Sequence, residues 1–428
     1  MIKEIFEVLL FLSSFFTSLW IILQIFYYRI SYDNYYIGNS SSFNNEMRKK
    51  KIDIIVAIRN ENEKTIKELV DNLSNLDYEH YRVIVVSDDT EDNFKKIIDA
   101  IGKIPENFII VRREKNYGRK AGALNFALTL SNADLVVFLD AEARVERDFL
   151  NKVSQLEYDA MAFRLKIRNP ITPIQKIYAI TNEFVMNSLF KARQKLGLLI
   201  FANGSALAIK RDILLKVGKW KENRVTEDLE LGIRLALNSI RVNYIDNIIV
   251  YTLAPYDIVD LYNQIKRWAY GSAELLIYSL NLFKLGIKGI EGFIYVQQWG
   301  IYPLYLLMII LILSFQFLLN INYIYIVISL LPIVVTNGFY IALVNPKGDY
   351  RSGLVTIMAS LIGYLEGVFK IRFEWKVTPK SYVQKEEEIT SIKILGLVLG
   401  VFAYINSIFS NTLASFLLIL ISMALLLV

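Results

Sequence analysis

The sequence predicts a two-part molecule: an α/β domain on a largely parallel, Rossmann-like sheet, attached to α-helices that cross a membrane several times. Three observations predict it. Between residues 52 and 140, short apolar runs alternate with segments of helical period. Charged residues fill roughly residues 29 to 270 and thin out at both ends, where apolar runs approach the ~20 residues a helix needs to cross a bilayer core. The 428 residues are 54% hydrophobic and 13% aromatic with a formal charge of +6, enough chain for a sizeable core and more than one structural unit.

Taken in order, the first apolar run is Ile5 to Tyr28, followed by Arg29 and by the basic run Arg48, Lys49, Lys50 and Lys51. It ends without a small-residue cleavage pattern, so it reads as a retained anchor, and its positive flank places residue 29 onward in the cytoplasm. Phe293 to Leu319 and Tyr323 to Val344 follow as a hairpin around the uncharged "NIN". Gly353 to Leu365 is short for a span and is followed by Lys370, Arg372, Lys376, Lys380, Lys385 and Lys393, which the positive-inside rule keeps cytoplasmic. This segment is therefore expected to lie in the interface. Ile394 to Val428 carries no charge and is divided by "SNT", which gives a last hairpin.

The expected boundaries are 1–28 for the first transmembrane helix, 29–50 for a linker, 51–272 for the α/β domain and 273–292 for an interfacial helix. A transmembrane hairpin at 293–345, an interfacial helix with a cytoplasmic loop at 346–390, and a second hairpin at 391–428 complete the chain. That makes five spans in the plasma membrane, with the amino terminus outside and the carboxyl terminus inside.

The chain has no cysteine, which excludes disulfides and thiolate metal sites. Its sole histidine, His80, precedes an apolar strand and reads as a loop residue. No basic-aromatic pattern calls for nucleic acid.

Within the α/β region, "IDIIVAI" (52–58), "YRVIVVS" (81–87), "NFIIV" (107–111) and "ADLVVFL" (133–139) read as buried strands. Helix-period segments follow the first three. In such sheets ligands bind beyond the carboxyl ends of the strands. Polar clusters stand there: Arg59, Asn60 and Glu61 after the first strand, Asp88 and Asp89 after the second, Asp140 and Glu142 after the fourth. Each alone suits a turn or a cap, but three at one sheet edge point to a site. Farther on, Thr226 fits a helix N-cap with Glu227, Asp228 and Glu230 in the first turn. One of these acids could equally serve as a base toward a substrate hydroxyl. Gln264, Arg267 and Trp268 share one helical face, which suits either a membrane interface or an anion beside a flat apolar partner.

In sequence order, "DD" (88–89), "KAGALN" (120–125), "DAE" (140–142), "TED" (226–228) and "QIKRW" (264–268) resemble the family 2 inverting glycosyltransferases. The resemblance is to their membrane-embedded branch of cellulose, chitin and hyaluronan synthases. It implies a GT-A catalytic domain in which Glu61, Asp88 and Asp89 contact the nucleoside of a UDP-sugar and Lys120 lies near the diphosphate. Asp140 and Glu142 would hold Mg²⁺ or Mn²⁺, and Gln264 and Arg267 would hold the diphosphate. Asp228, with Glu227 beside it, would be the catalytic base, Trp268 the floor for the acceptor sugar, and "NGSALAIKR" with Asn203 and Gly204 the acceptor-side loop. Glu142 stands where the family commonly has aspartate, and Thr90 where it commonly has glycine. "WKVTPK" (375–380) resembles the gating segment that covers the donor.

The function implied is extension of a β-linked polysaccharide from a UDP-hexose, the chain passing through the enzyme's own helices. Transfer of one sugar to a membrane lipid is the alternative. A nucleotide-regulated transporter would need intramembrane charges or broken helices in a repeat, and the spans show almost none.

Overall fold

The computed structural model describes residues 1–32, 50–201, 204–344, 348, 350–373 and 389–427. The expected parallel half is present. Strands β1 (Ile52–Ile58), β2 (Tyr81–Ser87), β3 (Phe108–Arg112) and β4 (Leu135–Leu139) pair in parallel in the order β3-β2-β1-β4. The helix α1 (Ile2–Tyr32) precedes them, and α2 (Glu63–Ser74), α3 (Glu91–Ile101) and α4 (Arg119–Leu130) make the crossovers. Each strand's two sides go to different cores. Ile55, Ile84 and Phe138 meet α4 and Trp220 on one face, while Ile54, Val83 and Val137 meet Leu69 and Phe149 on the other. Asn62 caps α2 through Lys64 N–H and Thr90 caps α3 through Asn93 N–H, so the polar residues after β1 and β2 include ordinary caps.

Beyond β4 the sheet turns mixed, a departure from the largely parallel expectation. Among the described residues it has eight strands in the order β3-β2-β1-β4-β7-β6-β8-β5, completed by β5 (Arg144–Val145), β6 (Ala160–Ile167), β7 (Ala206–Lys210) and β8 (Val242–Thr252). β7 runs antiparallel to both β4 and β6. The helical excursion between β6 and β7 leaves and re-enters the sheet at the same end, so no right-handed crossover is made. It consists of α5 (Pro173–Val185), entered through a Thr172/Gln175 capping box, a π-helical turn (Met186–Lys191) and α6 (Ala192–Leu196). After β7 come α7 (Glu227–Leu237) and α8 (Ile258–Glu274).

The interfacial helix expected at 273–292 is not one helix. α8 runs to Glu274, short turns follow, and α9 (Ile287–Val296) continues, bent by 62°, into Gln298–Ser314. Gln297, buried at the bend, donates to the Ser272 carbonyl and Ser279 Oγ, and this anchored polar side chain fixes a kink where the sequence reads as a straight span. Next come α10 (Tyr323–Val344), α11 (Tyr350–Val368), α12 (Thr390–Ile408) and α13 (Thr412–Leu426). Among the described residues three helices, α1, α10 and α12, are long and apolar enough to cross a membrane, and the bent pair makes a fourth if it is one span. α13 is a shorter apolar helix, and its Ser422 Oγ donates to the Gly396 carbonyl of α12.

α11, which contains Gly353 to Leu365, is not among these spans. It packs along α8. A Cβ on Gly363 would overlap the Lys266 carbonyl, and one on Gly367 would lie 2.7 Å from the Tyr270 carbonyl. Lys266 pairs with Glu366 at 2.8 Å across the same contact. The segment 375–380 lies outside the described residues.

Candidate active site

A cavity of about 1020 Å³ opens at the carboxyl ends of β1, β2 and β4 and gathers most of the residues singled out from the sequence. Strand direction brings Glu61, Asp88, Asp140 and Glu142 to its wall. α4 contributes Lys120 from its first turn, entered through Gly118 and Arg119, both in the left-handed region. Lys120 Nζ lies 2.6 Å from Asp140 Oδ1 and 3.7 Å from Glu227 Oε1. Burial alone would lower this ammonium's pKa, yet Asp140, Glu227 and Asp228 around it hold it above the ordinary lysine range. Glu227 is pushed up to about 7 by its burial, against the pull of Lys120 and with the help of Asp228 and Asp140.

Asp228 occupies a different side of the cluster. Its Oδ2 accepts the Gly204 N–H at 3.0 Å and its Oδ1 accepts the Leu229 N–H at 2.8 Å. Gly204 begins the loop into β7, so "TED" touches the "NGS" loop directly, a contact of which the sequence carries no sign; Asn203 lies outside the described residues. Thr226 is not the side-chain cap the sequence suggests. Its hydroxyl makes no cap hydrogen bond, because the side chain is pressed against α8 at Gly271, where a Cβ would overlap it. α8 in turn presents Gln264, Arg267 and Trp268 to the cavity, and Trp268 lies 5.7 Å from the Trp299 ring, centroid to centroid. Among the described residues, Thr226 Oγ1 and Gln264 Oε1 are buried with no hydrogen-bond partner, and both residues line this wall of the cavity.

Two of the expected donor residues have partners within the protein. Asp89 does not line the cavity: its Oδ1 accepts the Asn60 N–H and its Oδ2 the Ser87 hydroxyl, so it ties the end of β2 to the end of β1. Asp88 does line it, but its carboxylate is already held by Arg113, Nε at 2.7 Å and Nη2 at 2.6 Å. Arg113, which also donates to the Tyr117 and Arg119 carbonyls, shapes the loop leading to Lys120 and was not legible as a site residue. The basic "RREK" after β3 is the only trace of it in the sequence. "KAGALN" divides by role: Lys120 faces the cavity, Gly122 lets the Tyr117 carbonyl approach, and Asn125 bonds the Trp220 backbone in both directions.

Asp140 and Glu142 are hard-oxygen donors one residue apart at a strand end. No group of three or more His, Cys, Asp or Glu able to hold a metal is found among the described residues. Two carboxylates fit Mg²⁺ or Mn²⁺ where substrate phosphates supply further ligands, since such ions are commonly bound by one or two carboxylates plus phosphate rather than by an all-protein cage.

Residues 53–218 match the model of the glycosyl transferase family 2 domain. The chain is 30% identical over 424 residues to a probable glycosyltransferase of Sulfolobus acidocaldarius, covering 91% of this chain and 90% of that protein. It is 27% identical over 330 residues to the poly-β-1,6-N-acetyl-D-glucosamine synthase of Staphylococcus aureus, covering 76% of this chain and 74% of that one. In fold it is similar to a mannosyltransferase from Pyrobaculum calidifontis solved with GDP-Man and Mn²⁺, with a TM-score of 0.60, 18% identity, and coverage of 86% of this chain and 100% of that one.

Proposed function

The chain belongs to glycosyl transferase family 2 and is a glycosyltransferase, and from that premise we propose that it is a membrane-embedded inverting enzyme with its GT-A domain in the cytoplasm. It takes a nucleoside diphosphate sugar, in our reading a UDP-hexose, and extends a β-linked glycan as the cellulose, chitin and hyaluronan synthase branch does. Glu61 and Asp88 serve the nucleoside side, and Lys120, Gln264 and Arg267 the diphosphate. Asp140 and Glu142 would hold Mg²⁺ or Mn²⁺, which when bound offsets the charge developing on the leaving diphosphate.

The observation that carries this reading is the division of the carboxylates. Asp140 and Glu227 cluster on Lys120, whereas Asp228 is turned to Gly204, away from that ammonium's direct contacts. In the proposed step the acceptor oxygen attacks the anomeric carbon, the bond from that carbon to the diphosphate oxygen breaks, and the electron pair leaves with the nucleoside diphosphate. The hydroxyl proton passes to Asp228. Trp268 lies under the acceptor ring, and the face of a pyranose stacks on an indole without regard to chain length. Incubating purified protein with radiolabelled nucleotide sugars, with and without chelator, tests the reading: divalent-dependent transfer from one donor supports it, and full turnover in excess chelator removes the metal from it.

A further inference from the structure

Arg193 of α6 is completely buried, yet it does not line the cavity. Its guanidinium is engaged on two sides. On one, Nη1 and Nη2 donate to the Glu291 carboxylate of α9 at 2.5 and 2.8 Å, and Glu291 also accepts the Tyr27 hydroxyl of α1 at 2.8 Å. On the other, Nε and Nη2 donate to the Leu199 carbonyl at 2.9 and 2.5 Å. The guanidinium carbon lies over the Tyr295 ring of α9, 4.2 Å from its centroid.

These contacts lead toward Asp228. Tyr295 lines the cavity and stacks on Phe201 at 5.4 Å, the two rings 9° from parallel. A Cβ on Gly292 would lie 2.8 Å from Leu199 Cδ1 and 3.4 Å from Phe201 Cζ, so α9 sits directly against both residues. Phe201 stands three residues before Gly204, whose N–H donates to Asp228 Oδ2 at 3.0 Å. Three residues of chain reach about 10 Å at most, so anchors at Leu199 and Phe201 restrict where that N–H can be. A buried ion pair is weak evidence of stability as such, because well-packed apolar residues of similar volume often serve as well. What apolar residues cannot supply is a planar fork that aims several donors at once, and arginine supplies it.

We infer that Arg193 is a positioning residue for the transfer: it holds Leu199 directly and Phe201 through Tyr295, so that the Gly204 N–H keeps the Asp228 carboxylate aimed at the acceptor hydroxyl. The inference rests on the proposed role of Asp228 and adds the group that orients it. Asp228 has a competing partner, since its charge already acts on the Lys120 ammonium. Held by Gly204 on Oδ2 and by the Leu229 N–H on Oδ1, the carboxylate cannot turn. Released on the Gly204 side, it is free to swing toward Lys120 and away from the acceptor. Through Glu291 and Tyr27, the same arginine ties the base's orientation to the packing of α9 and α1.

The test is a double-mutant cycle on the full chain. Turnover is measured in membranes of the expressing cell with the donor that radiolabelled nucleotide sugars select, and UDP binding with Mn²⁺ is measured by calorimetry on purified protein. Arg193→Lys keeps a charge opposite Glu291 but has no fork to hold Leu199 as well. It is expected to lower kcat about 10²-fold, as a misplacement on the order of 1 Å does. UDP affinity and the donor KM should stay within about twofold of wild type. In the Asp228→Asn background the same change should cost less than about threefold, since the group it positions is gone. The pair Arg193→Met with Glu291→Met removes both charges and is expected to give the same pattern, which keeps the test decisive if the lysine variant does not fold. Wild-type kcat in a folded variant, a loss of UDP affinity in step with kcat, or an equal loss with and without Asp228 would overturn the inference. Full turnover in Asp228→Asn would remove the base and the inference together. Loss in Asp228→Asn beside none in Arg193→Lys would keep the base and remove only its positioning, so the two failures are distinguishable.

Discussion

The two ends of the cavity are built on opposite principles. At the sheet edge, Asp140, Lys120, Glu227 and Asp228 are fixed by ion pairs and backbone N–H groups, and each side chain has an assigned atom-to-atom contact. Toward α1, α5 and α10, the cavity is lined by the apolar Ile21, Ile177 and Ile341 between Gln24, Thr181 and Asn337, and the isoleucines define only a shape. Where charge is placed by hydrogen bonds, residue identity decides the outcome and one substitution changes the chemistry. Where a wall is apolar, volume decides, and many side chains would serve.

That contrast orders the predictions. The largest effect belongs to Asp228→Asn, expected to cut turnover by at least ~10² to 10⁴-fold while leaving UDP affinity nearly unchanged, as turnover and calorimetry on the same protein would report. Retained activity would reduce "TED" to a helix start. Asp140→Ala comes next. It should weaken both Mn²⁺ and UDP binding, each by about tenfold or more, because in the proposed reading the carboxylate and the diphosphate would share one ion. Calorimetry with and without Mn²⁺ checks it, and an unchanged metal dependence would leave Asp140 only as the partner of Lys120.

Gly271→Leu moves the boundary between the two ends, since its side chain would collide with Thr226 and push α8 away from the base. A drop in kcat of ~10²-fold with intact UDP binding is expected from a displacement on the order of 1 Å. The smallest effect is on stability. Glu227 has a folded pKa near 7 against an ordinary value of 4.5, so the native state binds the proton more tightly and loses stability as pH rises between those values. Glu227→Gln should remove that loss, and its melting temperature should fall less than wild type's from pH 5 to pH 8, by roughly 2–4 °C for each kcal/mol recovered.

The polar end was largely legible because its residues lie at strand ends, and continuous apolar runs locate those ends closely: β1 and β2 have the expected bounds. Asp89 and Thr226 were misread because a turn carboxylate and a cap hydroxyl look alike in sequence whether they face a ligand or the backbone. Only Ser87 and Gly271, brought close by the sheet and by α8, decide which. The antiparallel β7 escaped notice because "ALAIK" carries no sign of direction. The end of the cavity toward α1, α5 and α10 was invisible for a stronger reason. Its wall comes from α1, α5 and α10, more than a hundred residues apart in sequence, and apolar residues at helical spacing read as ordinary span or core. The bend at Gln297 was likewise hidden, since a lone glutamine gives no notice that Ser272 and Ser279 will fold back to meet it.

The division of the carboxylates is tested most directly by kinetics and calorimetry on two single variants of the full chain. The account predicts that Asp228→Asn lowers kcat with little change in UDP affinity, while Asp140→Ala weakens UDP binding in the presence of Mn²⁺. If both variants fell in the same parameter, or if Asp228→Asn kept its turnover, the carboxylates on Lys120 and the one on Gly204 would not serve two functions.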